Sequence, residues 1–419
     1  DLVALCAIDY RANPTDANNV TTSKPLIVDD TVYWSAQTGQ IGAHKVVRDA
    51  NGNFVECKKL WQQSVSSVVN IGVNGLTSRT SPAFYKRADG KGTLLFLTPA
   101  NYFDYLFTSP PGTINTIQPI AYALDAATGV LLWKVPVAPS AQDDPSSFAP
   151  TTTSAPRVYK GYAYFGLASF NNLRGLGIDI NTNQTFRGQL KRLDLKLGGG
   201  TPSFPADVKT LYTIPAKPAS YTGTRWFAGA GVWASTPSII PYGGKNNKGL
   251  VIFGSGQLYD YPDFVGDCMS ETVAPVTIEG KTFTKRGETG GGAKVCYDRA
   301  VQELINLGVD VANHPLANNS AIAVNLVDFT HAWHVPTAGI DAWQIPCGLN
   351  LEFPNAPGCT VVPGPDYDVG GNSPVIVKSL FSTYVISHNK SGQLFWINPL
   401  NAQVFKRVDV CVGSPAGGI

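Results

Sequence analysis

The chain has little charge, and it lacks several of the residue patterns that announce particular chemistries. Only 15% of its 419 residues are charged, 32 basic against 30 acidic, for a formal net charge of +2. That balance provides no basic stripe for nucleic acid and nothing to hold the chain on an anionic membrane surface. No run approaches the roughly eighteen uninterrupted apolar residues that would span a bilayer, and no basic-then-apolar leader opens the sequence. Cys-x-x-Cys and Cys-x-x-Cys-His are both absent, so no c-type haem attaches to this chain. The five histidines show no ligand spacing, which leaves zinc a weak reading.

With 43% hydrophobic side chains the chain can bury a large core, and its length exceeds the usual single compact domain. It is therefore either two domains or one large repeat-built body. Glycine (42) and proline (30) are spread along its length, as in many short strands joined by turns and unlike a helical bundle.

The sequence opens on Asp1, and the expectation is a leader already removed. Four Asn-X-Ser/Thr sequons, at Asn19, Asn183, Asn318 and Asn389, are glycan acceptors if the chain is secreted. Of seven cysteines, Cys268 with Cys296 and Cys347 with Cys359 bracket Gly- and Pro-rich loops that disulfides could staple. Cys6, Cys57 and Cys411 remain, and an odd count leaves one free thiol or a partner outside the chain. Together these features place the protein outside the cell.

The most informative pattern is a phrase that recurs: alternating apolar residues, a turn, then a short strand ending in an aromatic. Its clearest copy runs from Ala121 through Asp125 and Gly129 to Trp133, and others span Ala43–Trp61, Gln189–Tyr212, Ala321–Trp333 and Leu394–Phe405. Period-two alternation about an Asp/Asn/Gly turn is a β-hairpin, and the closing aromatic can dock between neighbouring sheets. Upstream of the phrase lie strand pairs such as 25–34, 155–165 and 374–387. Four strands per repeat predict five propeller blades. An ordinary β-sandwich with coincidental hairpins is the alternative. The stretch 267–319 stands apart, with a glycine run at 289–292 and a helix-like segment 297–307, and reads as a long loop inside one blade tied by Cys268–Cys296.

Read in order, several phrases resemble the polyvinyl-alcohol-dehydrogenase-like branch of the pyrroloquinoline quinone (PQQ) dehydrogenases. They are Ser78-Arg79-Thr80-Ser81-Pro82, Thr185-Phe186-Arg187-Gly188, the run 229–237 around Trp233, Gly339-Ile340-Asp341-Ala342-Trp343, Gly364-Pro365-Asp366-Tyr367-Asp368 and Lys390-Ser391-Gly392. The resemblance implies an all-β, eight-bladed quinoprotein propeller over residues 25–419, after an N-terminal segment 1–24. The chain stops inside a phrase that in the family leads into further blades. The expectation is that the C-terminal blades are missing, or come from self-association or another chain.

The resemblance also assigns roles. Trp233 is the aromatic floor under the quinone, Arg79 and Lys390 are its cations, and Asp341 is the general base. Alone, each has a bland reading: a blade-closing Trp is packing, a lone Arg is surface, and an Asp before a Trp caps a turn. Three departures weigh against catalysis. The calcium-ligating glutamate position holds Asn171 or Asn172, the ligating asparagine is replaced by Gln257, and the cysteine pair capping PQQ becomes Asn183-Gln184. Asp341 is then the remaining anion near Lys390, too little for a calcium ion. The expectation is no bound cofactor and an extracellular binding or structural role. The alternative is a PQQ- and calcium-dependent dehydrogenase of alcohols or polyols. Carbohydrate binding through exposed Tyr259 and Tyr261 is a third reading, without a specific motif.

Overall fold

The computed structural model describes residues 23–36, 39–70, 80–98, 118–138, 150–169, 185–278, 281–288, 290–341, 367–379 and 382–410. The chain divides into two compact units, residues 1–139, 151–165 and 192–209 on one hand and 140–150, 166–191 and 210–419 on the other.

Five antiparallel meanders of four strands carry the fold. The first is β1 (Leu26–Val28), β2 (Thr31–Ser35), β3 (Gln40–Arg48) and β4 (Phe54–Ser64), followed by the short helix α1 (Val65–Val69). The second is β5 (Ala83–Lys86), β6 (Gly92–Thr98), β7 (Ile120–Asp125) and β8 (Leu131–Pro136). The third places β9 (Pro150–Thr151) beside β11, in the order β10 (Arg157–Tyr159), β11 (Tyr162–Ser169), β12 (Gln189–Asp194), β13 (Val208–Tyr212). A short strand β14 (Ala228–Gly229) precedes the fourth sheet, which begins with β15 (Ser238–Ile240) and β16 (Leu250–Gly254).

Before that sheet resumes, the chain makes β17 (Leu258–Asp260), which pairs with β14, the helix α2 (Asp263–Ser270), the hairpin β18 (Thr272–Ile278) with β19 (Lys281–Lys285), and the helix α3 (Gly290–Asn306). The fourth sheet then completes with β20 (Ser320–Asn325) and β21 (His331–Pro336). The fifth is β22 (Val375–Lys378), β23 (Thr383–His388), β24 (Gln393–Ile397) and β25 (Val404–Asp409).

The five hairpin phrases fall on β3–β4, β7–β8, β12–β13, β20–β21 and β24–β25. In three of them the closing tryptophan stands opposite an alanine: Trp61 and Ala43, Trp133 and Ala123, Trp333 and Ala323. A register shift follows each pair at the next residue. The small partner leaves room for the indole, and the bulge re-aims the strand. In the clearest turn Asp125 Oδ1 accepts the Ala127 and Thr128 amides, and Gly129 takes φ 75°. Phe329 and Ala402 hold the matching left-handed position at φ 62° in two other copies.

Within each unit two sheets share a core. In the first unit Tyr33, Ile41, Leu94, Phe96 and Tyr122 share one core, and Trp61 Nε1 donates to the Ala126 carbonyl at 3.1 Å. In the second unit Ile252, Val335, Val385 and Phe395 join the fourth and fifth sheets, and Trp333 Nε1 donates to the Pro399 carbonyl at 2.9 Å. Trp61 and Trp333 thus dock onto the turn of the next sheet, as expected for the closing aromatic. Each buried aromatic or large aliphatic side chain contributes about 1.5–3 kcal/mol.

The insert differs from the loop expected for it. Ala293, Cys296, Tyr297, Ala300 and Leu304 recur at helical spacing on α3 and pack against Val265 and Met269 of α2. The glycine run opens α3 instead of remaining loop, because Gly292 lies against the Arg286 carbonyl, where a Cβ would sit at 1.9 Å. Cys268 and Cys296 are disulfide-bonded, tying α2 to α3, and Cys57 is disulfide-bonded as well. Cys6, Cys347, Cys359 and Cys411 lie outside the described residues.

Two further expectations need correction. Tyr259 and Tyr261 are 4% and 8% exposed, so neither is a platform for a sugar ring. Asn318 and Asn389 are fully buried, their side-chain amides donating to Gly339 O and Gln393 Oε1. A glycan has no room at either in the folded chain. Among the described residues no helix is long and apolar enough to cross a membrane.

Candidate functional site

The second unit gathers four of the residues singled out by sequence, with two that had been given no role. Trp233 follows β14, and its Nε1 donates to Asp368 Oδ2 at 2.7 Å. Lys390, on the turn between β23 and β24, sets its Nζ 3.2 Å from the same oxygen and 5.3 Å from the centre of the Trp233 ring. The other oxygen of Asp368, Oδ1, accepts the Gly370 amide at 2.6 Å. Asp368 is buried, and both its oxygens are engaged. A buried carboxylate needs such partners, since an unpaired one would change its protonation instead of staying charged.

Three segments meet here through glycines at their points of contact. Gly256 N donates to Gly231 O at 2.8 Å, and a Cβ on Gly370 would lie 2.5 Å from that same carbonyl. A Cβ on Gly371 would lie 2.2 Å from Trp233 Cζ2. Glycine at these positions lets backbone and indole approach closely.

Asp341 meets the start of β17, where its carbonyl accepts the Leu258 amide at 3.0 Å. Asn319 Nδ2 reaches Asp341 Oδ2 at 3.5 Å, while Asn319 Oδ1 is buried without a hydrogen-bond partner. Gln257, next to Leu258, is buried and accepts the Ala230 amide on its carbonyl at 2.7 Å. Burial pushes the Tyr259 hydroxyl well above its ordinary range, with the charge of Asp368 adding to the effect. Burial and then the charge of Asp341 raise Tyr367 above its ordinary value.

Trp233, Lys390, Asp341 and Gln257 therefore cluster around the 256–258 segment. Asp368 and Asn319 join them unannounced. Asp368 lay in a matched phrase without an assigned role, and it corrects the expectation that Asp341 is the remaining anion beside Lys390. Arg79, Asn171, Asn172, Asn183 and Asn19 lie outside the described residues. The phrase 185–188 is structural: Phe186 is fully buried, Arg187 stacks 3.7 Å over the Tyr212 ring, and a Cβ on Gly188 would meet the Ala230 carbonyl at 1.9 Å.

No family model matches the sequence, and no curated protein matches it. Solved structures do. Quinohemoprotein alcohol dehydrogenase ADHIIG from Pseudomonas putida HK5 superposes with a TM-score of 0.50 at 14% identity, over 94% of this chain and 42% of that one. The fold is that of the quinoprotein alcohol dehydrogenases. The five meanders are quinoprotein-type propeller blades, and the alternative of a sandwich falls away. The quinohemoprotein alcohol dehydrogenase from Comamonas testosteroni gives a TM-score of 0.48 at 14% identity, over 94% of this chain and 44% of its own. A europium-containing methanol dehydrogenase gives 0.45 at 13%, over 94% and 53%. The chain thus spans about half the length of these quinoproteins or less, and at such identities the likeness is one of fold.

Proposed function

We propose that this quinoprotein-type propeller has lost quinone and calcium chemistry and serves outside the cell as a binding or structural protein. The observation that carries the reading is Asp368. Its carboxylate accepts a hydrogen bond from the indole N–H of Trp233 and pairs with the charge of Lys390, the two groups the resemblance assigns to the floor and the quinone oxygens. Both are satisfied by the protein itself.

Calcium fits the described residues poorly. It takes about six to eight oxygen ligands, with carboxylates foremost. Asp368 has both oxygens committed, leaving the Asp341 carboxylate with the neutral amide of Asn319. Among the described residues no group of three His, Cys, Asp or Glu could hold a metal ion. The secretory part of the reading is supported by the Cys268–Cys296 disulfide, a bond that persists in oxidising compartments.

The second reading, a PQQ-dependent dehydrogenase of alcohols or polyols, draws support from Trp233, Lys390 and Asp341 standing in one site. Titration calorimetry separates the two. Natively purified protein should take up neither calcium nor PQQ, singly or together, and should show no near-ultraviolet quinone band. Tight calcium binding that depends on added PQQ would replace the first reading with the second.

A further inference from the structure

The fourth sheet carries a chain of hydrogen bonds whose two ends are fixed and whose middle is one proton short. At one end Tyr297 on α3 lies 2.6 Å from the Leu316 carbonyl. A carbonyl only accepts, so the tyrosine proton is committed there. Tyr297 Oη also lies 3.2 Å from His334 Nε2, and with its proton gone it can only accept. His334 therefore carries its hydrogen on Nε2. At the other end His331 Nδ1 lies 2.8 Å from the Ala312 carbonyl, so His331 carries its hydrogen on Nδ1. Between the rings His334 Nδ1 faces His331 Nε2 at 3.3 Å. With both imidazoles neutral, two lone pairs meet across a hydrogen-bond distance.

We propose that His331 and His334 form a single-proton site, in which one proton bridges His331 Nε2 and His334 Nδ1 and a second is refused. One added proton completes all four links. A second would place two N–H groups face to face and two positive charges on rings whose centres are 5.3 Å apart. Burial holds both imidazoles below their ordinary range, His334 at about 4, so the mismatched neutral pair is the form present at pH 7.

The surroundings do not complete the chain. On α3, Lys294 stands 5.9 Å from the centre of the Tyr297 ring and pairs with Asp298 at 2.7 Å. In the segment after α3, Asp310 accepts Asn313 Nδ2 at 2.6 Å and carries the neighbouring charge influence of His314. Across the sheet β20 presents Ile322 opposite His334 and Val324 opposite His331. The hydrogen-bond chain thus runs through three segments: β21, the 312–316 loop and α3.

The test is a long-range proton–nitrogen NMR titration of the full chain labelled on histidine nitrogen, from pH 8 to pH 4. The expected result is the Nδ1–H form of His331 and the Nε2–H form of His334 at pH 8, and on acidification one proton taken up by the two rings together with a common midpoint. Tyr297→Phe is the second arm. Without the hydroxyl, His334 is free to move its hydrogen to Nδ1 and satisfy His331 while neutral, so the proton affinity of the pair should fall by about tenfold, the worth of one hydrogen bond to a charged group. Two independent titrations of a full proton each would overturn the proposal, as would a midpoint that Tyr297→Phe leaves unchanged or raises.

Discussion

Lys390 Nζ stands 3.2 Å from Asp368 Oδ2, and the Asp368 side chain is 2% exposed. A carboxylate this deep holds its charge through its partners, and the lysine depends on it in turn. Asp368→Asn keeps the shape and removes the negative charge that faces the part-buried ammonium. The expected loss is about 3 kcal/mol in urea unfolding. Adding Lys390→Met should recover most of it, and a double-mutant cycle showing no coupling would remove the ion pair from the account of this site.

Gly371→Ala tests the packing of the same site without touching a charge. The added methyl would lie 2.2 Å from the Trp233 ring, so the indole must move away from Asp368. A shift in tryptophan fluorescence and a cost of about 1–3 kcal/mol are expected. An unchanged spectrum would mean that the ring has room the structure does not give it.

Replacing Cys268 and Cys296 by serine opens a bridge with a sequence separation of 28. The chain-entropy cost is about 3.5 kcal/mol. Because α2 and α3 also share an apolar core, the insert should remain folded at 25 °C but melt earlier, which proteolysis along a temperature ramp would show. Disulfide mapping by mass spectrometry should recover this bridge in untreated protein.

Acid should weaken the fold through the histidine pair. Both imidazoles bind protons less readily when folded than the ordinary value near 6.5 of an unfolded chain. The unfolded state then holds more protons at mildly acid pH, so their contribution is complete above about pH 6.5 and is lost as pH falls toward 4. Urea midpoints measured between pH 7.5 and 4.5 should decline, and His334→Gln should flatten the decline. Asp328, held down at about 2 first by the Lys245 side chain, titrates below that window and does not contribute to the slope.

What the sequence could reveal followed from the range of the forces involved. Alternation about Asp125 and Gly129, and the aromatic closing each hairpin, are local signals, and all five sheets were visible through them. The partnership of Asp368 with Trp233 joins positions 135 residues apart, and nothing in the phrase 364–368 says that Asp368 turns inward. Asn318 and Asn389 carried a valid acceptor motif, but a motif of three residues has no information about burial. The helix starting at Gly290 was hidden because glycine reads as loop unless one knows that Gly292 lies against the backbone of Arg286. Asn319, with its φ of 45° and its unsatisfied oxygen, offered no sequence signal at all.

The placement of the insert has a consequence for how the chain finds its fold. β16 and β20 are partners in register, Gly254 opposite Ala321, yet the residues between them include two helices, a hairpin and a disulfide. In the second sheet β6 and β7 are joined by the much shorter stretch 99–119, and in the fifth β23 and β24 by a tight turn. Loop-closure entropy rises by about 0.6 kcal/mol for each doubling of length, so joining the middle of the fourth sheet costs about 1 kcal/mol more than joining the second. Its central contacts are the most distant along the chain among the five sheets. The fourth sheet should therefore be the slow step of assembly, and cutting the insert down to a tight turn between Gly254 and Ala321 would be expected to speed refolding.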